Sequence, residues 1–203
     1  LKDLSGNGND WVFSWWILPS STGWYIWKWY YFTKSDNRIF IPNFTQTNYT
    51  DKLTGWYTIS AIIMKQTDGT TQWRIFGWFD APLLMFDDSE RPTIIQYNTK
   101  NTYTSVSSLS KIESNKFLLL NWVYSGDSQK IYINWQLINT NNMIDGIKIS
   151  SPVSTVTIWT LSNNNGTNTN PIYSFPWIID DVKIYNRALS DQEIAQQAKI
   201  AGF

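Results

Sequence analysis

The chain has 203 residues, with 16 Lys plus Arg balanced by 16 Asp plus Glu and with neither histidine nor cysteine. Zero formal net charge argues against nucleic acid, which demands a basic face, and against electrostatic docking on anionic membrane. Without Cys or His there is no disulfide framework, thiolate nucleophile or Cys/His zinc site, yet a chain of this length buries a core without such staples.

In chain order, the Gly- and Asn-rich stretch Asp3-Leu4-Ser5-Gly6-Asn7-Gly8-Asn9-Asp10 comes first. Strands are then predicted at 23–32 and 37–42, where apolar residues cluster between polar turns. Tyr57–Lys65 alternates or runs apolar and stops at Gln66-Thr67-Asp68-Gly69-Thr70. Further strands are expected at 73–78, 93–97, 103–109, 116–124, 130–133, 136–139, 153–161 and 178–185. Phe117–Leu120 is a core strand, and no apolar run approaches the roughly 18 residues of a membrane span. The segment Ser162–Pro171 holds five Asn and no large apolar residue, as a surface loop would. One helix is expected at the C-terminal end. Ser190 and Glu193 form a capping-box pattern, Ile194, Ala198 and Ala201 give an apolar stripe, and Gly202 is a stop. Such a helix is expected to pack across a sandwich edge. Many short strands and a single helix predict an all-β fold, a two-sheet antiparallel jelly-roll sandwich with one short C-terminal helix. Residues 1–203 read as one domain. The abrupt start at Leu1, with no signal-like segment, suggests a domain cut from a longer precursor.

Three segments together carry a resemblance. They are the opening Gly/Asn motif, the hairpin Val123–Leu137, and the closing run Phe175-Pro176-Trp177-Ile178-Ile179-Asp180-Asp181-Val182-Lys183-Ile184-Tyr185-Asn186-Arg187-Ala188-Leu189-Ser190-Asp191-Gln192-Glu193-Ile194. The closing run is the most specific. The chain resembles the laminin G-like branch of the concanavalin A-like lectin/glucanase superfamily. That resemblance implies a jelly roll with its N- and C-terminal strands side by side. It also implies an adhesion or carbohydrate-recognition module at the bacterial cell surface or outside the cell, one part of a multidomain surface protein. The partners so implied are a glycan or an extracellular protein, with no nucleic acid and no membrane insertion.

Thirteen Trp invite a reading as sugar-stacking platforms, since aromatic faces suit the apolar faces of pyranose rings. The resemblance, however, places glycine at several of these positions. Trp135 follows Asn134 where Asn-Gly would make a type I′ turn, and Trp11 and Trp177 also replace glycines. Trp15, Trp16, Trp24, Trp27, Trp29, Trp56 and Trp159 are weaker cases. One cause covers them all: a gene that uses UGA for glycine, read here as tryptophan. Trp122, Trp73 and Trp78 read instead as native strand residues packed in or near the core. The sharper alternative is that Trp78 or Phe79 stacks on a sugar at a strand end.

Catalysis has little support. Glycoside hydrolysis needs two carboxyl groups flanking the scissile bond, and the only glutamates are Glu90, Glu113 and Glu193. No strand shows alternating acids. Asp87-Asp88-Ser89-Glu90, between Pro82 and Pro92, reads as a solvated loop. The expectation is therefore a non-enzyme, a recognition module first, a structural spacer of an adhesin second and a degenerate glycosidase last. A structural calcium is the one cofactor the resemblance implies. Asp180 matches the aspartate that opens the closing strand, Asp3 would complete the shell with carbonyls near Gly6, and calcium favours such oxygen donors. By simple alternation Asp180 shares the inner face with Val182 and Ile184. The other reading is that Asp180 or Asp181 accepts hydrogen bonds from backbone or Arg187.

Overall fold

The computed structural model describes residues 12–14, 20–22, 29–31, 38–41, 56–66, 74–77, 83–97, 100, 102–142, 156–158 and 178–203. Among them are strands β1 (Val12–Ser14), β2 (Ser20–Thr22), β3 (Trp29–Tyr31), β4 (Arg38–Ile41), β5 (Tyr57–Met64), β6 (Arg74–Gly77) and β7 (Leu83–Phe86). There follow β8 (Pro92–Tyr97), β9 (Tyr103–Ser107), β10 (Phe117–Tyr124), β11 (Ser128–Ile133), β12 (Gln136–Asn142), β13 (Val156–Ile158) and β14 (Ile178–Tyr185), then helix α1 (Asp191–Ile200). They form two antiparallel seven-stranded sheets. Sheet A runs β1-β4-β13-β6-β7-β8-β9 and sheet B runs β12-β11-β10-β5-β14-β3-β2. The chain is thus the expected jelly-roll sandwich with one short C-terminal helix. Among the described residues no helix is long and apolar enough to cross a membrane.

The core explains the sequence pattern of β10. Leu118, Leu120, Trp122 and Tyr124 point between the sheets, where they meet Tyr57, Ile59, Ala61 and Ile63 of β5 and Phe76, Leu84, Phe86 and Ile94 of sheet A. Leu119 and Val123 point the other way and are buried beneath α1. A strand covered on both faces needs no polar alternation, so it reads as a near-continuous apolar run.

One expectation about packing is corrected. The helix does not cross an edge: Ile194, Ala198 and Ala201 pack on the outer face of sheet B, against Ile62, Leu119, Val123 and Tyr132. That face carries enough apolar surface to hold the helical stripe. The closing strand lies beside an N-terminal strand, β3. β14 pairs with β3 and β5, whereas β1 pairs with β4 in the other sheet.

The helix itself forms as its sequence directs. Glu193 N–H donates to Ser190 Oγ at 3.3 Å, and Ser190 N–H donates back to Glu193 Oε2 at 2.9 Å, closing the capping box. At the far end Phe203 N–H donates to the Ala198 carbonyl and Gly202 N–H to the Lys199 carbonyl, with Gly202 at φ 85°. This double bond pattern requires a left-handed residue, which glycine adopts without strain.

The acidic stretch Asp87–Glu90 is a loop, as expected, with Asp88 and Ser89 exposed, and it closes a hairpin that was not expected. Leu83–Phe86 is a buried strand, and residues 87–91 turn the chain into β8. Asp87 organises the turn by accepting from the backbone N–H groups of Ser89 and Arg91 and from Arg91 Nε. Burial raises its carboxyl, but these bonds outweigh it and hold the group below the ordinary carboxylate range. Glu90 turns inward to Lys65. Across the sandwich, Asn139 and Asn141 of edge strand β12 donate from Nδ2 to the Ser107 and Ser105 carbonyls of edge strand β9, each at 2.9 Å. Side-chain amides thereby cover backbone acceptors of an edge that would otherwise recruit another strand.

Candidate functional site

The closing strand builds the site through one irregularity. Asp180 pairs with Ile62 and Lys183 with Ser60, so Asp181 and Val182 together face Ala61 alone. This is a β-bulge, with Asp181 at φ 47° in the left-handed region. The extra residue resets the alternation. Ile179, Val182 and Ile184 face the core, while Asp180, Lys183 and Tyr185 share the outer face with Ile62, Ser60 and Thr58. The inner-face placement of Asp180 is therefore corrected, because strand parity does not survive an inserted residue.

Beside the bulge, β14 and α1 enclose a groove of about 330 Å³. One wall is Asp181, Lys183, Tyr185 and Arg187; the other is Glu193, Gln196, Gln197 and Ile200, with Leu189 and Ala201 between them. The turn joining strand to helix is clamped by Thr58, whose Oγ donates to the Arg187 carbonyl and accepts from Leu189 N–H, both at 3.0 Å. Charge in the groove is internally cancelled. Arg187 grips Glu193 with two bonds of 2.8 and 2.6 Å, and Lys183 pairs with Asp181. The Arg187 bond, reinforced by Ser190, brings the Glu193 carboxyl down to about 2. It is ionised at neutral pH and cannot donate a proton there. Gln197 Nε2 donates to Ser60 Oγ at 3.1 Å and to Tyr185 Oη at 3.2 Å, fixing the middle of the wall. Burial leads the effects that raise the Tyr185 phenol.

Of the expected site residues, only Asp180 falls among the described ones; Trp78, Phe79 and Asp3 lie outside them. Asp180 Oδ1 accepts its neighbour's backbone N–H at 2.8 Å, while Oδ2 is buried without a partner. Burial raises this carboxyl, and the Asp181 charge adds to that against the opposing pull of the Asp181 N–H and Lys183. Arg187, considered above as its partner, is committed to Glu193. An orphaned anionic oxygen suits one calcium ligand, but among the described residues no three acidic groups gather as a metal shell. The remaining oxygens would have to come from carbonyls or from Asp3.

Three tryptophans thought to replace glycine are described: Trp29, which opens β3, Trp56 and Trp135. At the β11–β12 turn the left-handed residue is Asn134, at φ 59°, and not Trp135. Asn134 holds the turn by accepting from Leu119 N–H through Oδ1 at 3.0 Å. The turn is thus not the expected type I′, in which both central residues are left-handed. Trp135 and Trp56 are exposed by 49% and 58%, so neither backbone nor packing demands tryptophan or glycine there. Trp122, by contrast, is fully buried.

The groove itself escaped the sequence reading. Its signal was present in the alternation of Lys183, Tyr185 and Arg187, but the bulge and the helix placement were needed to interpret it.

Comparison with known proteins follows the fold. A family model described as the concanavalin A-like lectin/glucanases superfamily, of laminin G type, matches residues 34–195. No curated protein sequence matches the chain. Among solved structures, a heptameric SAP-like pentraxin from Limulus polyphemus superposes with a TM-score of 0.58 at 16% identity, covering 71% of this chain and 70% of that one. The binding domain of Paraclostridial Mosquitocidal Protein 1 gives 0.70 at 16% identity over 97% of this chain and 48% of its own. The binding domain of botulinum neurotoxin DC in complex with SialylT gives 0.72 at 15% identity, over 99% and 48%. The chain therefore spans about half the length of these toxin domains, and at such identities the likeness is one of fold.

Proposed function

We propose that this chain, which belongs to the concanavalin A-like lectin/glucanases superfamily, is a non-catalytic recognition module that takes a carbohydrate or protein ligand in the groove between β14 and α1. The carrying observation is the groove's construction, with polar side chains fixed by ion pairs and amide bonds around a small apolar floor. Such preorganised concavities hold ligands at low entropic cost. The chemistry of the walls supports binding over hydrolysis. Both groove carboxylates are engaged in ion pairs, and a glycosidase needs one carboxyl raised to serve as acid. Carbohydrate-binding neighbours such as the SialylT complex support the reading at the level of fold. A cell-surface or extracellular location, as one module of a larger bacterial protein, accords with that role.

The test is binding to glycan and extracellular-protein arrays by the intact chain, by Gln196→Ala with Tyr185→Ala, and by Trp78→Ala with Phe79→Ala. Loss of signal in the groove variant, by about tenfold or more for about 1.4 kcal/mol of lost contact, is expected. Loss confined to the Trp78/Phe79 variant would move the site to that strand end. No binding by the intact chain, or by a version with glycine restored at Trp135, Trp159 and Trp177, would leave a spacer domain. UGG codons at those three positions would remove the proposed recoding.

Asp180 is the proposed calcium ligand, with Asp3. At neutral pH and in chelator, Asp180→Asn should raise Tm by about 2–4 °C, as expected for relieving roughly 1 kcal/mol in a domain of this size. Calcium should stabilise the parent chain and not the variant. A parent Tm indifferent to both calcium and chelator removes the metal.

A further inference from the structure

We infer that the groove is the outer half of a deeper site whose inner anchor is Asn121, and that the ligand is neutral and bears adjacent hydroxyls, as a single sugar ring does. The inference rests on the groove being the ligand site.

Four polar residues stand in register across the outer face of sheet B. Lys183 pairs with Ser60, Ser60 with Asn121, and Asn121 with Tyr132. The row begins in the open groove at Lys183 and passes beneath α1. Three of its members are satisfied: Lys183 by Asp181, Ser60 by Gln197, and Tyr132 by Asp191, to which its hydroxyl donates at 2.7 Å. Asn121 is not. It is fully buried, and neither its Nδ2 nor its Oδ1 has a partner. Its position lies between Leu119 and Val123, each in an apolar cluster under the helix. A leucine would suit such surroundings, and each unmet buried polar group costs about 1–3 kcal/mol. An amide held there at that cost is a recognition group waiting for a ligand.

The ligand's chemistry follows from what is unmet. A carboxamide sets an acceptor beside two donors, and two neighbouring hydroxyls answer both at once. A charged ligand gains little from walls whose charges already cancel, and to be neutralised it would have to break an ion pair. At about 330 Å³ the groove is at the small end of ligand pockets, suited to one ring rather than a chain. Entry to Asn121 requires α1 to move. Thr58 pins the turn before it, and Tyr132 and the capping box pin its first turn. Its last turns rest on Ile62 and Leu119 through Ala198, Ala201 and Phe203, so that opening breaks the two bonds of Gln197 to Ser60 and Tyr185 besides those apolar contacts. The helix is a lid hinged at Ser190.

The test follows the side-chain amide signals of Asn121 and Gln197 by NMR while the intact chain is titrated with glucose, galactose and mannose, and separately with sialic acid. At least one neutral sugar should shift both signals, and sialic acid should not. Asn121→Leu should fold with an equal or higher Tm and bind that sugar at least about tenfold more weakly, a loss of about 1.4 kcal/mol. If Asn121→Leu binds as the parent does, or sialic acid is preferred, the inference fails while groove binding can stand. If Asn121→Leu lowers Tm and no sugar moves the signals, Asn121 holds only an internal water and the inference fails. Failure of groove binding itself shows differently, as Gln196→Ala with Tyr185→Ala leaving array signals intact.

Discussion

Glu90→Ala should lower the unfolding free energy by about 3 kcal/mol, because it removes a short charge-assisted hydrogen bond to a buried lysine. Lys65 is fully buried at the end of β5, and its Nζ lies 2.6 Å from Glu90 Oε2, with Glu90 only 13% exposed. The pair links sheet B to the β7–β8 hairpin of sheet A. Removing Glu90 takes a carboxylate away from the buried ammonium, whereas removing both side chains takes the charge out as well. Lys65→Met with Glu90→Leu should therefore lose much less than Glu90→Ala alone. Glu90 also sits at φ 59°, so Glu90→Gly returns roughly 1 kcal/mol of backbone strain and should be milder than alanine. Urea denaturation of the four chains measures this. A Glu90→Ala midpoint matching the parent's would show that the pair contributes nothing.

Trp122→Ala should cost a similar amount, about 3–5 kcal/mol, through the cavity it opens at the centre of the sandwich. The indole is fully buried and meets Tyr57 edge to face, with centroids 4.9 Å apart and planes at 89°. Tyr57 in turn donates to Gln96 Oε1 at 2.7 Å, bridging the sheets. Trp122→Phe is the informative comparison. The Trp122 Nε1 is buried without an acceptor, so phenylalanine removes an unmet donor while giving up some volume. The two effects offset, and the loss should be about 1.5 kcal/mol or less. Thermal melts of both variants decide it. A Phe variant as damaged as the Ala variant would mean that the indole N–H is satisfied in solution.

The helix was legible residue by residue. Ser190, Glu193 and Gly202 act through bonds to their own backbone neighbours, so local sequence is enough to specify them. The strands of the core were legible because burial imposes apolar side chains. Leu83–Phe86 was missed for a related reason: flanking prolines and acids look like a loop when the inward turn of Glu90 toward Lys65 is invisible. That partner lies 25 positions away, beyond any local pattern.

The sequence by itself determined the all-β sandwich, the capped C-terminal helix, the buried place of Trp122 and the scarcity of paired acids. Each depends on composition or on contacts a few residues apart. Only the tertiary structure decided which face of the closing strand carries which side chain. One inserted residue at Asp181 moves Asp180 to the outer face and places Lys183 and Tyr185 along the groove wall. Only the tertiary structure, too, laid the helix over Asn121. Pairing register and helix docking are set by contacts between residues 60–140 positions apart, where packing overrides local preference.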